Sequence, residues 1–108
     1  MSWIVSKSVF GWRVHWGDVR WADGAQYVSF EPNQYGRVIS VGYSGYADCR
    51  FSEIRAAAAH VRAAFAAFSP PIHRHGWRGS PERRRLCDAI AAKLNADGVA
   101  PGLPEAAP

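Results

Sequence analysis

The chain is poor in cysteine, with only Cys49 and Cys87 among its 108 residues. So few cysteines cannot form a disulfide-rich scaffold, and these two lack the close spacing of a zinc site. We interpret both as reduced thiols, which indicates a cytoplasmic protein. The sequence also lacks any run of about 18 apolar residues and any basic stretch followed by an apolar one near Met1, so we expect neither membrane insertion nor export.

Recognised catalytic motifs are missing as well. The sequence has no Gly-x-Ser-x-Gly, no glycine-rich phosphate loop ending in Lys-Ser/Thr and no His-Glu-x-x-His. A thiol paired with one of the four histidines occurs by chance in any chain with this composition. His73 and His75 offer two imidazoles to a metal, but zinc requires three or four ligands and no others stand at a recognised spacing. We therefore predict a protein that is not an enzyme and has no metal or other cofactor.

What the chain does have is the composition of one globular domain, with 48% apolar and 20% charged residues. Its first half is rich in Val, Ile, Trp, Tyr and Phe between turn residues, which predicts strands. Asp23-Gly24 lies between two such runs and predicts a two-residue hairpin turn with Val19 opposite Val28.

The position of Trp12 and Trp16 depends on the regularity of their strand. A bulge at Gly17-Asp18 would shift the alternation by one residue, and either that bulge or a break in the strand there would place both rings in the core. Without it, they would form an exposed aromatic face. Both alternatives stay open from the sequence.

Helical periodicity begins at about Ser52 and continues to Phe68, where Ser69-Pro70-Pro71 ends it. After a basic loop, Ser80-Pro81-Glu82 starts a second helix, with Ser at the N-cap and Pro at the first helical position. We predict one α+β domain over residues 1–98. It consists of an antiparallel meander of three to four strands packed by one long helix, then a basic loop and a second, shorter helix. Residues 99–108 are predicted to be a flexible Pro/Ala tail.

The net charge of +4 is unevenly distributed. Residues 1–49 carry as many acidic as basic side chains, whereas residues 50–93 carry nine basic against three acidic ones, a net charge of +6. All the basic residues except Lys7 and Lys93 are arginines, whose planar fork suits phosphate and carboxylate groups. This pattern favours a polyanionic partner for the second half of the chain.

Three segments supply the candidate binding residues. The three arginines at 83–85 occupy the first helical turn, where cations are unfavourable, and such conflicts indicate either function or a solvated cluster balanced by acidic neighbours. The loop at 73–78 mixes arginine with Trp77, which suits stacking on nucleic acid, anchoring at a protein interface or docking on the domain's own core. The predicted site comprises Arg55, Arg62, Arg74, Trp77, Arg78, Arg83, Arg84 and Arg85.

Tyr35, Tyr43 and Tyr46 flank the glycine-containing turns. Tyrosines in such positions either form recognition surfaces or cover the edges of a small sheet. Both interpretations stay open from the sequence.

Two functional hypotheses follow. The first is a small non-enzymatic binding or regulatory protein that engages DNA, RNA or a nucleoprotein complex through its arginines. The second is a compact protein-binding inhibitor or adaptor of the mobile-element type, such as an anti-CRISPR, that uses the aromatic sheet face and Trp77. A sheet followed by a helix is similar in element order to small nucleic-acid-binding domains such as integrase arm domains, but no motif identifies a family.

Overall fold

A computed structural model describes residues 2–17, 26–64 and 76–103. These contain four strands and two helices: β1 (Trp3–Ser8), β2 (Gly11–Gly17), β3 (Tyr27–Pro32), β4 (Val38–Ser44), α1 (Phe51–Ala64) and α2 (Pro81–Ala96). The strands form one antiparallel sheet in the order β1-β2-β3-β4, which confirms the α+β prediction and fixes the meander at four strands. Neither helix of the described ranges has the length and apolar character needed to cross a membrane.

The predicted contrast between a long and a short helix is not confirmed. The described part of α1 has 14 residues, and α2 has 16. The segment 65–75, which includes the predicted end of the first helix and most of the predicted basic loop, lies outside the described residues.

The predicted pairing of Val19 with Val28 is wrong, because the structure pairs Val28 with Trp16 and Tyr27 with Gly17. In this register Val14 lies opposite Phe30, and Val14, Val28 and Phe30 are all buried. Register is set by which side chains a face must bury, and here that requirement outweighs a local turn preference. The Asp23-Gly24 turn itself lies outside the described residues.

Trp12 and Trp16 pack against the core, on the same face of β2 as the buried Val14. The regular alternation of side chains along β2 is sufficient to place both rings on this face, so their burial does not require a shift of the alternation at the end of the strand. Gly17 ends the strand, and Asp18 lies outside the described residues. In the described pairings a register shift occurs between Glu31 and Pro32, where β3 pairs with β4.

Both helices cover the same face of the sheet. α2 packs mainly on β1 and β2, whereas α1 packs against α2 and β4. The predicted stripe of α2, Leu86, Ile90 and Leu94, is fully buried. Burial of each such side chain is worth about 1.5–3 kcal/mol, so this stripe fixes the rotation of α2 on the sheet.

The stripe predicted for α1 is confirmed over its described part. Ile54, Ala58 and Val61 are buried, and Phe65 and Phe68 lie outside the described residues. The small side chains of the helix allow a close approach to α2, with Ala57 also buried.

Residues 99–103, which the sequence assigns to the tail, are hydrogen-bonded to the domain. The indole Nε1 of Trp3 donates to the carbonyl of Val99 (2.7 Å). The Ala47 amide donates to the Leu103 carbonyl (3.1 Å), and the Gly102 amide donates to the Asp48 carbonyl (2.8 Å). The chain is therefore tied to β1 and to the segment before α1 as far as Leu103, and residues 104–108 lie outside the described residues.

Gly11 allows β2 to begin against the turn that precedes α2. Its φ is +100°, and a Cβ added there would clash with the Arg78 carbonyl and lie 2.7 Å from the Arg78 Cβ. Gly98 also has a positive φ, +67°, but a Cβ there would meet no atom within 4 Å.

The two glycines make a matched pair for a stability test. We expect Gly98→Ala to lower the free energy of unfolding by about 1 kcal/mol, from backbone strain alone. Gly11→Ala should lower it by at least about 2 kcal/mol more, because the clash with backbone atoms adds to the strain. Urea denaturation of both variants measures the difference, and equal losses would contradict the close approach of Arg78.

Candidate polyanion-binding surface

The meander and the two helices bring distant segments to one end of the sheet. The β1–β2 and β3–β4 turns lie at the same end, since successive hairpins of a meander alternate. α2 begins there, because the Trp12 amide at the start of β2 donates to the Arg78 carbonyl (2.9 Å). α1 ends there, because Gly36 in the β3–β4 turn lies against Arg62.

Cations gather at this end from both halves of the chain. We call it the basic end, and it contains Lys7, Arg37, Arg62, Arg78, Arg83, Arg84 and Arg85. The carboxylates that the described residues place there are fewer: Glu31, Glu82 and Asp88. The described side chains therefore give the basic end an excess of positive charge.

The opposite end is electrically different. Arg50 forms an ion pair with Glu53 (3.1 Å), and Lys93 forms one with Asp97 (2.8 Å). Asp48 accepts a hydrogen bond from the Arg50 amide there (2.8 Å). Arg50 and Lys93 thus have carboxylate partners at that end, which lowers the excess of positive charge there relative to the basic end.

Trp12 holds two of the exposed cations at the basic end. The Lys7 Nζ lies 5.7 Å from the centre of the indole ring, and the Arg84 Cζ lies 4.7 Å from it. A cation over an indole face at an exposed site is worth about 0.5–1 kcal/mol. Arg84 also has Asp88 at 4.0 Å, with both side chains more than half exposed, so this ion pair is screened by solvent.

Arg83 differs from its two neighbours because it is buried, with 1% of its surface exposed. Its Nε donates to the carbonyl of Trp12 (2.6 Å), and an Nη lies 3.6 Å from a carboxylate oxygen of Glu31. Arg83 therefore joins α2 to β2 and β3 and is not accessible to a partner. The sequence spacing indicates this burial, because Arg83 lies three residues before Leu86 and seven before Ile90, on the buried stripe of α2.

Trp77 is also buried, at 8% exposure, and belongs to the hydrophobic core. Of the three roles left open by the sequence, docking on the domain's own core is the one that the structure shows. Its carbonyl accepts from the Ser80 hydroxyl (2.7 Å), and the Ser80 Oγ accepts from the Arg83 amide (3.1 Å). Ser80 is thus the N-cap of α2, as predicted.

The remaining predicted residues comprise two groups among the described residues and one residue outside them. Arg78, Arg84 and Arg85 are exposed at the basic end. Arg55 and Arg62 lie on α1, away from Trp12 and beside a groove described below. Arg74 lies outside the described residues. The structure thus does not bring the eight predicted residues into one site.

A groove of about 710 Å³ lies between the β3–β4 turn and α1. None of the described residues that line it is acidic, and we call it the arginine groove. It is lined by Tyr35, Gly36, Arg37, Val38, Arg55, Ala59, Arg62 and Ala63. A shallower cavity of about 360 Å³ continues it along β4 past Tyr43 and Phe51.

Asn33 shapes the turn that forms one wall of the arginine groove. Its Oδ1 accepts hydrogen bonds from the amides of Tyr35 (2.9 Å) and Arg37 (3.0 Å). Its own amide donates to the Arg37 carbonyl (2.8 Å). Gly36 has a φ of +78°, and a Cβ there would lie 2.5 Å from the Arg62 Cβ, so glycine lets the turn approach α1.

Arg37 and Tyr35 are the charged and the aromatic groove residue that the sequence-based site omits. Both come from the half of the chain with no net charge, and only the tertiary approach of the β3–β4 turn to α1 places them beside Arg55 and Arg62. Tyr35 is 61% exposed, which favours the recognition-surface interpretation of this tyrosine, whereas Tyr46 is buried in the core. In the sequence, Asn33 and Gly36 indicate a turn at this position, but they do not specify which element the turn packs against.

Two groups suited to catalysis in the described residues, the Cys87 thiol and the His15 imidazole, are buried. Both cysteines are free thiols, and burial raises the pKa of Cys87 from its ordinary value of 9.0 to about 12, which opposes formation of a nucleophilic thiolate. The buried His15 has its Nδ1 2.9 Å from the Gly17 carbonyl. Within residues 2–17, 26–64 and 76–103, no three His, Cys, Asp or Glu side chains come together to hold a metal, and His73 and His75 lie outside these ranges.

Replacement of Arg83 tests its structural role. We expect Arg83→Ala to lower the free energy of unfolding by about 2–3 kcal/mol, because it leaves the Trp12 carbonyl and the half-buried Glu31 without their partner. Arg85→Ala removes the same charge from an exposed site and should change the free energy by no more than about 0.5 kcal/mol. Urea denaturation of the two variants measures the contrast, and similar effects would refute it.

The raised pKa of Cys87 predicts the direction in which the free energy of unfolding changes with pH. Above about pH 9 the unfolded chain loses the thiol proton that the folded chain retains, so the unfolded state binds fewer protons and stability falls as pH rises. The free energy of unfolding should therefore decline more steeply between about pH 9 and about pH 11 in the native protein than in Cys87→Ala. Parallel declines in the two proteins would show that the thiol ionises equally in both states.

A comparison of the chain with protein-family models, with curated proteins and with solved structures finds no match.

Proposed function

We propose that this protein is a small, non-enzymatic binding protein that engages a polyanionic partner, nucleic acid or a nucleoprotein complex, through its basic end. The observation that carries the proposal is the convergence of cations from four separate elements, β1, the β3–β4 turn, α1 and α2, on one end of the fold. An excess of one charge on one surface raises the local concentration of oppositely charged ligands and their association rate.

The chemistry of these cations supports a phosphate-rich partner. Apart from Lys7, they are arginines, and a guanidinium donates two parallel hydrogen bonds to a phosphate. Contacts of this type account for most of the affinity of nucleic-acid-binding proteins and release counterions from the phosphate backbone. The exposed members, Arg37, Arg78, Arg84 and Arg85, are accessible for such contacts.

The alternative of a protein-binding inhibitor or adaptor depended on Trp77 and on an exposed aromatic face of the sheet. Trp77 is buried, and Trp12 and Trp16 pack against the core beneath the helices. The described residues thus favour the basic end over the aromatic face as the interaction surface.

Neutralisation of two exposed cations tests the proposal. We expect Arg78→Gln/Arg84→Gln to weaken binding to labelled DNA and RNA about 10-fold near 0.1 M salt. The slope of log K against log salt should become shallower by about 1.5, because two phosphate contacts are lost. Fluorescence anisotropy over a series of salt concentrations measures both quantities.

The matched control is Arg50→Gln/Lys93→Gln, which removes the same charge from the opposite end. It should leave the affinity and the salt slope near those of the native protein, since a change in net charge alone has a weak effect at this distance. Equal weakening by the two double variants would contradict a localised surface. Failure of the native protein to bind DNA or RNA even at about 20 mM salt would refute the proposed function.

A further inference from the structure

The arginine groove combines the two groups that single-stranded nucleic acid requires. Its cations are Arg37, Arg55 and Arg62, and within residues 2–17, 26–64 and 76–103 no carboxylate lines it. Its aromatic group is Tyr35, a lining residue with 61% of its surface exposed. Proteins bind single strands by pairing cations with the phosphate backbone and by stacking bases on aromatic side chains.

The cations are distributed along the groove and are not gathered at one point. Arg55 and Arg62 are separated by two turns of α1, about 10 Å along the helix axis. Arg37 lies on the opposite wall, at the end of the β3–β4 turn. This arrangement suits a chain of successive phosphates better than it suits a single phosphate group.

The groove continues in the direction of β4, with further aromatic surface. The Cζ of Arg55 lies 4.3 Å from the centre of the Phe51 ring, so this guanidinium is held at the junction of the two cavities. Tyr43 is 55% exposed along the continuation. A bound strand would therefore meet apolar and aromatic side chains on leaving the arginines.

Base stacking distinguishes a single strand from a duplex. In a duplex the base faces are covered by their neighbours, and separating one step costs a few kcal/mol. In a single strand the faces are accessible, and one stacked base contributes enough affinity to be detected by substitution of the aromatic residue. An exposed tyrosine beside three arginines thus favours the unpaired form.

We propose that the arginine groove binds single-stranded nucleic acid, with phosphates on Arg37, Arg55 and Arg62 and a base stacked on Tyr35. This inference rests on the proposed polyanion-binding function and assigns to it a preference for unpaired strands. The lining residues contact phosphate and base and not a particular sugar, so DNA and RNA strands of the same length should bind with affinities within a few-fold of each other.

Substitution of Tyr35 tests the stacking contact. We expect Tyr35→Ala to weaken binding of a labelled oligo-deoxythymidine or oligouridine about 10-fold, and to leave binding of duplex DNA and of heparin unchanged within 2-fold. Tyr35→Phe retains the ring and should bind all four ligands like the native protein. Thermal unfolding of each variant confirms that the fold is intact, which we expect because the side chain is exposed.

The outcomes separate this inference from the proposed function. If Tyr35→Ala weakens single strands, duplex and heparin equally, or weakens none of them, the stacking contact is refuted while polyanion binding at the basic end stands. If the native protein binds none of these ligands at low salt, both fail. A preference of more than 10-fold for DNA over RNA, or the reverse, would overturn the assignment to phosphate and base contacts alone.

A second measurement locates the strand directly. An oligonucleotide carrying one photoreactive 5-iodouracil should cross-link to Tyr35 or to its neighbours in the groove, and peptide mass spectrometry identifies the residue. Arg37→Gln should reduce the yield of this cross-link, whereas Lys93→Gln at the opposite end should not. Cross-links confined to the segment around Arg78 and Arg84 would overturn the groove as the binding site.

Discussion

The contact between the start of α2 and the start of β2 is the interaction on which the basic end depends. The Trp12 amide donates to Arg78, the Arg83 guanidinium donates back to the Trp12 carbonyl, and Glu31 lies beside that guanidinium. Both hydrogen bonds join residues more than 60 positions apart in the chain. They fix where the cationic segment of the chain lies relative to the sheet, and so place Arg78 and Arg84 beside Lys7. Without this contact the arginines would be adjacent in sequence but would share no surface with β1.

The same contact explains why three arginines are tolerated in the first turn of a helix. Cations there are disfavoured by the helix dipole by about 0.3–1 kcal/mol each. Arg83 offsets this cost through a buried hydrogen bond and its ion pair, and Arg84 offsets it through the Trp12 ring and Asp88. The conflict between local helix preference and sequence, interpreted as a sign of function, thus has a structural explanation for Arg83. For the exposed Arg85 the described residues show no such contact, and it remains a candidate for partner binding.

Local signals in the sequence were sufficient for the start and the buried face of α2 and insufficient for the arrangement of the elements. The N-cap at Ser80 and the stripe Leu86, Ile90, Leu94 depend on neighbours within one or two turns, and both are confirmed. The register of β2 with β3 depends on burial of Val14 against Phe30, which a turn dipeptide cannot specify. The groove depends on the approach of Gly36 to Arg62, across 26 residues of chain, and a sequence gives no measure of that distance. Arg37 and Tyr35 were consequently missing from the site.

The two aromatic residues near the cations differ in what they leave accessible. The ring of Trp12 packs against the core and already has Lys7 and Arg84 over it, so it positions charge but does not present a free face to a base. Tyr35 is exposed and stands on a turn held by Asn33. Under the proposed function, charge at the basic end attracts polyanions in general, whereas selection among polyanions requires a contact that depends on more than charge. In the described part of the chain, Tyr35 is the aromatic residue best placed to supply that second contact.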